Sequence, residues 1–294
     1  MEVVKINHLE KTFGKFRALN DVSFTVNSGE ILGFIGPNGS GKSTTIRILL
    51  GLLRPSGGSA TIFGKDVFTQ SDSIHENIAY VPGETNVWKN MKGGDILLLF
   101  SKLRKNVDLS KQKELIERFD FDVNKTSGSY SKGNRQKIAL ISALSTDADL
   151  YIFDEPTSGL DPLMESVFQT EVRRLKKEGK AVLLSSHILS EVENLADRVA
   201  IIKEGNVIDI GSIADMRHLS QSKVTVSVSG DLANLNQLKG IHDLVITGQT
   251  ARFRLEDDAT AAVMKFLSDQ GIRSISNVPP TLEELFVGKY EKGD

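Results

Sequence analysis

The sequence predicts an α/β fold, a parallel sheet built around a phosphate-binding loop, followed by a small α+β domain. Three stretches carry that expectation. GPNGSGKST, from Gly36 to Thr44, lies between the apolar run ILGFI and TIRILLGLL, which has helical spacing. Further on, the apolar run LYIF ends in two adjacent carboxylates, Asp154 and Glu155. Beyond Ser220 the pattern reads β-α-β-β-α-β plus a last helix, PPTLEELFVGKY, a ferredoxin-like order.

VVKINHLEKTF, NDVSFTV and EILGFIG read as strands, so antiparallel pairs precede the loop. The loop fits G-x-x-x-x-G-K-[ST] at Gly36, Gly41, Lys42 and Ser43. Its glycines let successive backbone N–H groups turn toward one point, and the following helix N-terminus adds positive potential there. Lys42 would reach the β- and γ-phosphates, and the Ser43 hydroxyl would ligate magnesium. The bare pattern arises by chance in about one per cent of chains of this length. The flanking strand and helix are further requirements, and both are met.

From about residue 84 to 146 the pattern turns helical, with MKGGDILLLFSKLRK and SKQKELIERFDF. A Ser-x-Gly turn at Ser131 and Gly133 then leads into KGNRQKIALISALST. The strand LYIF follows, and ligands of open α/β sheets bind at such C-terminal strand ends. One carboxylate there can hold a magnesium ion and the next can polarise a water. LMESVFQTEVRRLKKEG reads as a helix, AVLLSS as a strand ending at His187, and ILSEVENLADR as a helix. VAIIKEGNVIDIG is a strand–turn–strand with Gly205 at the turn. The expected division is a domain at 1–219 and an accessory domain at 220–294, with no chemistry expected in the second.

Composition narrows the class. The 294 residues are 39% hydrophobic and 25% charged, as in a soluble globular chain. DILLLF and ILLGLL fall far short of the roughly 20 residues that span a bilayer, and no signal segment is read at the N-terminus. No direct membrane insertion is expected. A net charge of −2 leaves no footprint for nucleic acid. The absence of cysteine excludes disulfides and thiolate metal sites and fits a reducing cytosol.

Taken in order, Phe13, the phosphate loop, the Ser131 turn, the carboxylate strand, SGLD (Ser158 to Asp161) and His187 resemble the ATP-binding cassette family, the nucleotide-binding subunits of ABC transporters. The resemblance covers roughly Met1 to Leu219 and implies an ATPase that binds ATP and Mg2+. It implies that Phe13 stacks on adenine, although Phe16 is close enough to serve instead. Gly36, Asn38, Gly39, Ser40, Gly41, Lys42, Ser43 and Thr44 would hold the phosphates. Ser43 and Asp154 would face the metal, Glu155 would act as general base, and His187 would contact the γ-phosphate. Ser131 and Gly133 would cap the nucleotide of a partner subunit, with Asp161 at the interface. A head-to-tail dimer of identical or different cassettes follows. So does a separate transmembrane permease, with the chain cytoplasmic at the inner face of the membrane.

The resemblance has two departures. Tyr130-Ser131-Lys132-Gly133-Asn134 stands where the family commonly has Leu-Ser-Gly-Gly-Gln, a variant similar to that of many bacterial drug and peptide exporters. Tyr80-Val81-Pro82-Gly83-Glu84 stands where a glutamine is usual; Glu84 is the candidate oxygen ligand in its place, or a solvated loop acid. The main reading is an export ATPase with a small C-terminal domain for dimerisation, regulation or structure. The alternative is a nucleotide-sensing cassette with weak or partner-dependent hydrolysis. Trp88 and Val87 begin the helical stretch, where the family's groove receives a helix of the membrane subunit; an ordinary core role for Trp88 stays open. Soluble cassettes acting on ribosomes or DNA carry two cassettes or long coiled coils, and neither is present here.

Overall fold

The computed structural model describes residues 1–218, 221–281 and 283–284. The chain forms two compact units, Met1–Ile210 and Gly211–Asp294. The expected boundary at 219/220 and most of the expected last helix lie outside the described residues.

The first unit opens with β1 (Glu2–Phe13), β2 (Phe16–Asn27), β3 (Ile31–Ile35), α1 (Lys42–Leu49), β4 (Gly57–Ile62), β5 (Lys65–Asp66), α2 (Ser71–His75) and β6 (Ile78–Val81). The helical stretch supplies α3 (Gly93–Leu103), α4 (Leu109–Arg118) and α5 (Lys132–Leu144). Then come β7 (Leu150–Asp154), α6 (Pro162–Lys177), β8 (Ala181–Ser186), α7 (Leu189–Glu193), β9 (Arg198–Lys203) and β10 (Asn206–Ser212).

Among the described residues these strands make one sheet in the order β5-β4-β1-β2-β10-β9-β3-β8-β7-β6. Its antiparallel part pairs β1 with β2 and β4. Its parallel part pairs β3 with β9 and β8, and β7 with β8 and β6. Every residue of β3, β7 and β8 is buried, as expected of parallel strands covered on both faces. Their short apolar runs could equally have been buried helix by periodicity alone; their length of five or six residues decided for strand.

Two helices of this unit start on aspartate caps. Asp108 accepts from the Lys111 N–H at 3.0 Å and opens α4, and Asp161 accepts from the Met164 N–H at 3.0 Å and opens α6, with Pro162 at its first position. The helix read from ILSEVENLADR is only the five residues of α7.

The second unit comprises α8 (Ile213–His218), β11 (Ser222–Val228), β12 (Ile241–Thr247), β13 (Thr250–Leu255), α9 (Thr260–Asp269) and β14 (Ile272–Val278). Its sheet runs β12-β13-β11-β14, with each neighbouring pair antiparallel. This is the ferredoxin-like order, with one correction. The helix expected from NLNQLKGI is a single 3₁₀ turn, Leu235–Gln237. Leu232, Leu235 and Leu238 recur every three residues, a spacing that suits three residues per turn, and the first two are buried in the core.

The core of the first unit is tested at Phe153. It is fully buried in β7 and meets the Phe168 ring edge-on at 5.1 Å. Phe153→Ala should lower the unfolding free energy of this unit by about 3–5 kcal/mol, read by urea denaturation.

Candidate functional site

Because β3, β8, β7 and β6 are parallel neighbours, their C-terminal ends lie side by side at one sheet edge. The register pairs Ile35 with Ser186, Asp154 with Ser185, and Val81 with Phe153. Four loops therefore emerge together: Gly36 to Gly41 after β3, His187 after β8, Glu155 after β7, and Pro82 to Thr85 after β6.

The first loop turns on Gly39 and Gly41, whose φ angles of 84° and 116° belong to the left-handed region. Gly36 has no room for a side chain, since a Cβ there would lie 2.4 Å from the Ile202 carbonyl oxygen. The loop is braced from below by a bond from the Gly205 N–H to the Ser40 carbonyl at 2.9 Å. Lys42 is 4% exposed, and its ammonium donates to the Gly36 carbonyl at 2.6 Å and the Pro37 carbonyl at 3.2 Å. Burial pulls its pKa below the ordinary lysine value, against the pull of the nearby Glu155 and Asp154 carboxylates. The Ser40 hydroxyl is buried with no hydrogen-bond partner. Ser43 and Thr44 sit half-buried in the first turn of α1, while Asn38 is exposed in the loop.

Asp154 ends β7 buried, and its Oδ1 accepts from the Ser185 hydroxyl at 2.5 Å. Glu155 follows with a φ of 48°, unusual for a residue with a side chain. Its N–H donates to the Ser185 carbonyl at 3.0 Å, which fixes the turn. The result is convergence on one carboxylate oxygen: Glu155 Oε1 lies 3.8 Å from Lys42 Nζ and 3.2 Å from His187 Nδ1. Lys42, Glu155 and His187, distant in sequence, form one cluster.

Ser131, Gly133 and Asp161 belong to a different place. Ser131 caps α5, accepting from the Asn134 N–H at 3.2 Å. Gly133 lies against the next loop so closely that a Cβ would come 2.1 Å from the Gly159 carbonyl oxygen. The Lys132 ammonium donates to the Ser158 hydroxyl at 2.6 Å. Ser131, Gly133 and Gly159 line a cleft of about 460 Å³ that also takes in Asp120, Asp122, Lys125, Lys137 and Asp161. Among the described residues, no hydrogen bond or ion pair joins Ser131 or Gly133 to the Lys42–Glu155–His187 cluster.

Phe13 is half-exposed at the tip of the β1–β2 hairpin, paired with Phe16 and lying under the Lys11 ammonium at 4.9 Å. Glu84 is exposed, whereas Gly83 packs against the end of β7: a Cβ there would lie 3.2 Å from the Asp154 backbone carbonyl oxygen and 3.7 Å from the Glu155 Cβ. Trp88 is exposed, with its ring centroid 6.4 Å from that of Phe100.

Sequence reasoning missed Glu191. Its two oxygens accept from the Thr157 hydroxyl at 2.8 Å and the Ser186 hydroxyl at 3.0 Å. One carboxylate thus ties the segment after Glu155 to the segment before His187. The available signal was its place four residues after His187 on a short helix, which alone names no partner.

A family model described as "ABC transporter" matches residues 19–158. The chain is 32% identical over 98% of its length, and 98% of the relative's, to the uncharacterized ABC transporter ATP-binding protein YhaQ of Bacillus subtilis. The chain belongs to the ABC transporter family of ATP-binding subunits. It is an ATP-binding subunit of that family, whose members are ATPases that power transport. A second family model, the C-terminal domain of DrrA1-3-like ATP-binding proteins, matches residues 211–290 of this ABC subunit. The doxorubicin resistance ATP-binding protein DrrA of Mycobacterium tuberculosis is 34% identical over 80% of the chain and 73% of the relative. A solved ATP-binding subunit of an ABC transporter superposes with a TM-score of 0.68 at 29% identity, covering 74% of this chain and 92% of that one.

The loop fits a nucleotide's phosphates. It offers a glycine cradle, a buried cation and a buried serine hydroxyl without a partner. A magnesium ion would find oxygen donors in the Ser43 hydroxyl and the Asp154 carboxylate, with phosphate and water completing its shell.

Glu191 gives a pH test. Burial pushes its carboxyl above the ordinary value of 4.5. Such a group lends stability that is full below 4.5 and is lost as pH rises through its folded value. Glu191→Gln has no proton to lose, so the stability of wild type relative to this variant should fall between pH 4.5 and neutrality. Urea unfolding of both proteins across that range measures it, and a pH-independent difference would contradict the assignment.

Proposed function

We propose that the chain hydrolyses MgATP as a head-to-tail dimer and powers a separate membrane permease for export. The observation that carries this is the convergence of Lys42 and His187 on Glu155 Oε1, while Ser131 and Gly133 line their own cleft. The first group can surround the end of a triphosphate. The second presents a 13-residue helix N-terminus to an anion held by another chain, in a cleft whose Lys125 and Lys137 are balanced by Asp120, Asp122 and Asp161. Two sites in a dimer would each draw on both groups.

Within such a site, the loop amides and Lys42 bind the phosphates and Glu155 orients the attacking water and takes up its proton. His187, held against Glu155, faces the γ-phosphate, and the partner's Ser131 and Gly133 stabilise the charge that develops there. Bound magnesium supplies neutralisation of the phosphate charge. Phe13 or Phe16 offers the exposed ring for adenine, and Asp161 stands at the dimer interface. Glu84 is the weaker candidate for the metal, because it is exposed and it is Gly83 that the loop packs against the end of β7. Among the described residues no helix is long and apolar enough to cross a membrane, so the reading assigns the translocation path to a partner and this chain to its cytoplasmic face. Similarity to the Nod factor export ATP-binding protein I of Rhizobium etli, 30% identical over 98% of this chain and 93% of the relative, supports export as the direction.

Glu155→Gln should lower steady-state turnover about a hundredfold or more and leave an ATP-stabilised dimer on gel filtration. Equal turnover of wild type and variant, alone and with the permease, would instead support a nucleotide sensor.

A further inference from the structure

Gln136 is 1% exposed on α5, and both ends of its amide are used. Its nitrogen donates to the Pro82 carbonyl at 3.0 Å, and its oxygen accepts from the Thr85 hydroxyl at 2.8 Å. A carbonyl can only accept, so the orientation of the amide is fixed by its partners. Thr85 is itself buried. The two bonds grip the start and the end of the Pro82–Thr85 loop, and between them lies Gly83, packed against Asp154 and Glu155.

The same helix meets the loop after Glu155 one turn earlier. Gly133 and Gln136 are three residues apart, hence on one face of α5. That face rests on the Gly159 carbonyl at Gly133 and on the Pro82–Thr85 loop at Gln136. Gly83 has no side chain with which to pass anything on. The connection between the carboxylates and α5 on this side therefore runs through the loop backbone and the Gln136 amide.

We propose that Gln136 is a positioning residue that couples the two composite sites. It locks the loop beside one chain's Asp154 and Glu155 to the helix whose N-terminus caps the other chain's nucleotide. The inference rests on the head-to-tail reading given above. An ATP bound against Ser131 and Gly133 of α5 would then be felt at that same chain's own carboxylates.

The test compares Gln136→Glu, Gln136→Leu and Thr85→Val in the full chain. Glutamate keeps the shape and loses the donor to Pro82, leucine loses both bonds, and valine removes only the Thr85 hydroxyl. ATP affinity at protein concentrations below dimerisation should stay within about twofold, since no residue of the phosphate loop is altered. The kcat should fall about tenfold for the two Gln136 variants and less for Thr85→Val, with Hill coefficients moving toward 1. In the Glu155→Gln background, Gln136→Glu should raise the ATP midpoint of dimerisation about tenfold, a readout independent of turnover. Folded variants with wild-type kcat and Hill coefficient would overturn the inference, as would a loss wholly explained by weaker ATP affinity. If the Gln136 variants do not fold, Thr85→Val decides on the same criteria. A wild-type chain that turns over without cooperativity and shows no ATP-dependent dimer would overturn the dimer reading and the coupling with it.

Discussion

The Lys42 ammonium is almost wholly buried at the end of β3, and the surrounding structure is arranged to make that tolerable. Removing a cation from water costs several kcal/mol unless donors find acceptors and a counter-charge stands nearby. The Gly36 and Pro37 carbonyls supply the acceptors, which requires the loop to curl back over its own lysine. That curl in turn requires backbone angles at Gly39 and Gly41 that other residues adopt with strain. Glu155 supplies the counter-charge at 3.8 Å, and it reaches there only because β7 lies two strands from β3 in the same parallel sheet. The sheet order is thus an electrostatic requirement as well as a packing result.

Glu155 shows the same economy in its backbone. A left-handed φ at a residue with a side chain costs about 1–2 kcal/mol. The Ser185 carbonyl holds its N–H, and Thr157 two residues on is tied through Glu191 to Ser186. Strain at this turn is over-determined by bonds from β8 and the segment after it. The histidine that follows β8 then arrives at the carboxylate without any local sequence rule that would place it there. Rigid support of this kind suits a residue whose orientation toward a water must be held closely.

Most of the fold of the first unit was legible because its signals are local. Buried strands of five or six residues and a glycine loop before a helix each declare themselves within ten residues. The second unit shows where local reading failed: three leucines spaced by three suit a 3₁₀ turn, and the run was read as a full helix. At the site, the phosphate loop and the strand-end carboxylates were legible for the same local reason. Glu191, Ser185 and Gln136 were not. Each is an ordinary polar residue in an amphipathic or apolar stretch, and its importance lies in partners 31 to 54 residues away. Sequence spacing encodes faces of elements, whereas such bonds depend on which elements the sheet order brings together.

The segment from Tyr130 to Asp161 illustrates what that order achieves. Its start, a helix N-terminus, and its end, the Asp161 cap of α6, line one cleft, while its middle carries Asp154 and Glu155 to the C-terminal end of β7. A helix that offered its N-terminus to a neighbouring chain and floated free of its own carboxylates could bind in trans and transmit nothing. Here α5 is seated twice on the loops that flank those carboxylates, through a glycine contact too tight for any side chain and through a buried amide satisfied at both ends. Neither contact tolerates sliding of the helix by even a fraction of a turn, because a buried amide shifted off its partners loses bonds that no water replaces. Displacing α5 from the Pro82–Thr85 loop would break both bonds. Gly83 brings no side chain to this contact, and the side chain that bonds the loop to the helix is Gln136.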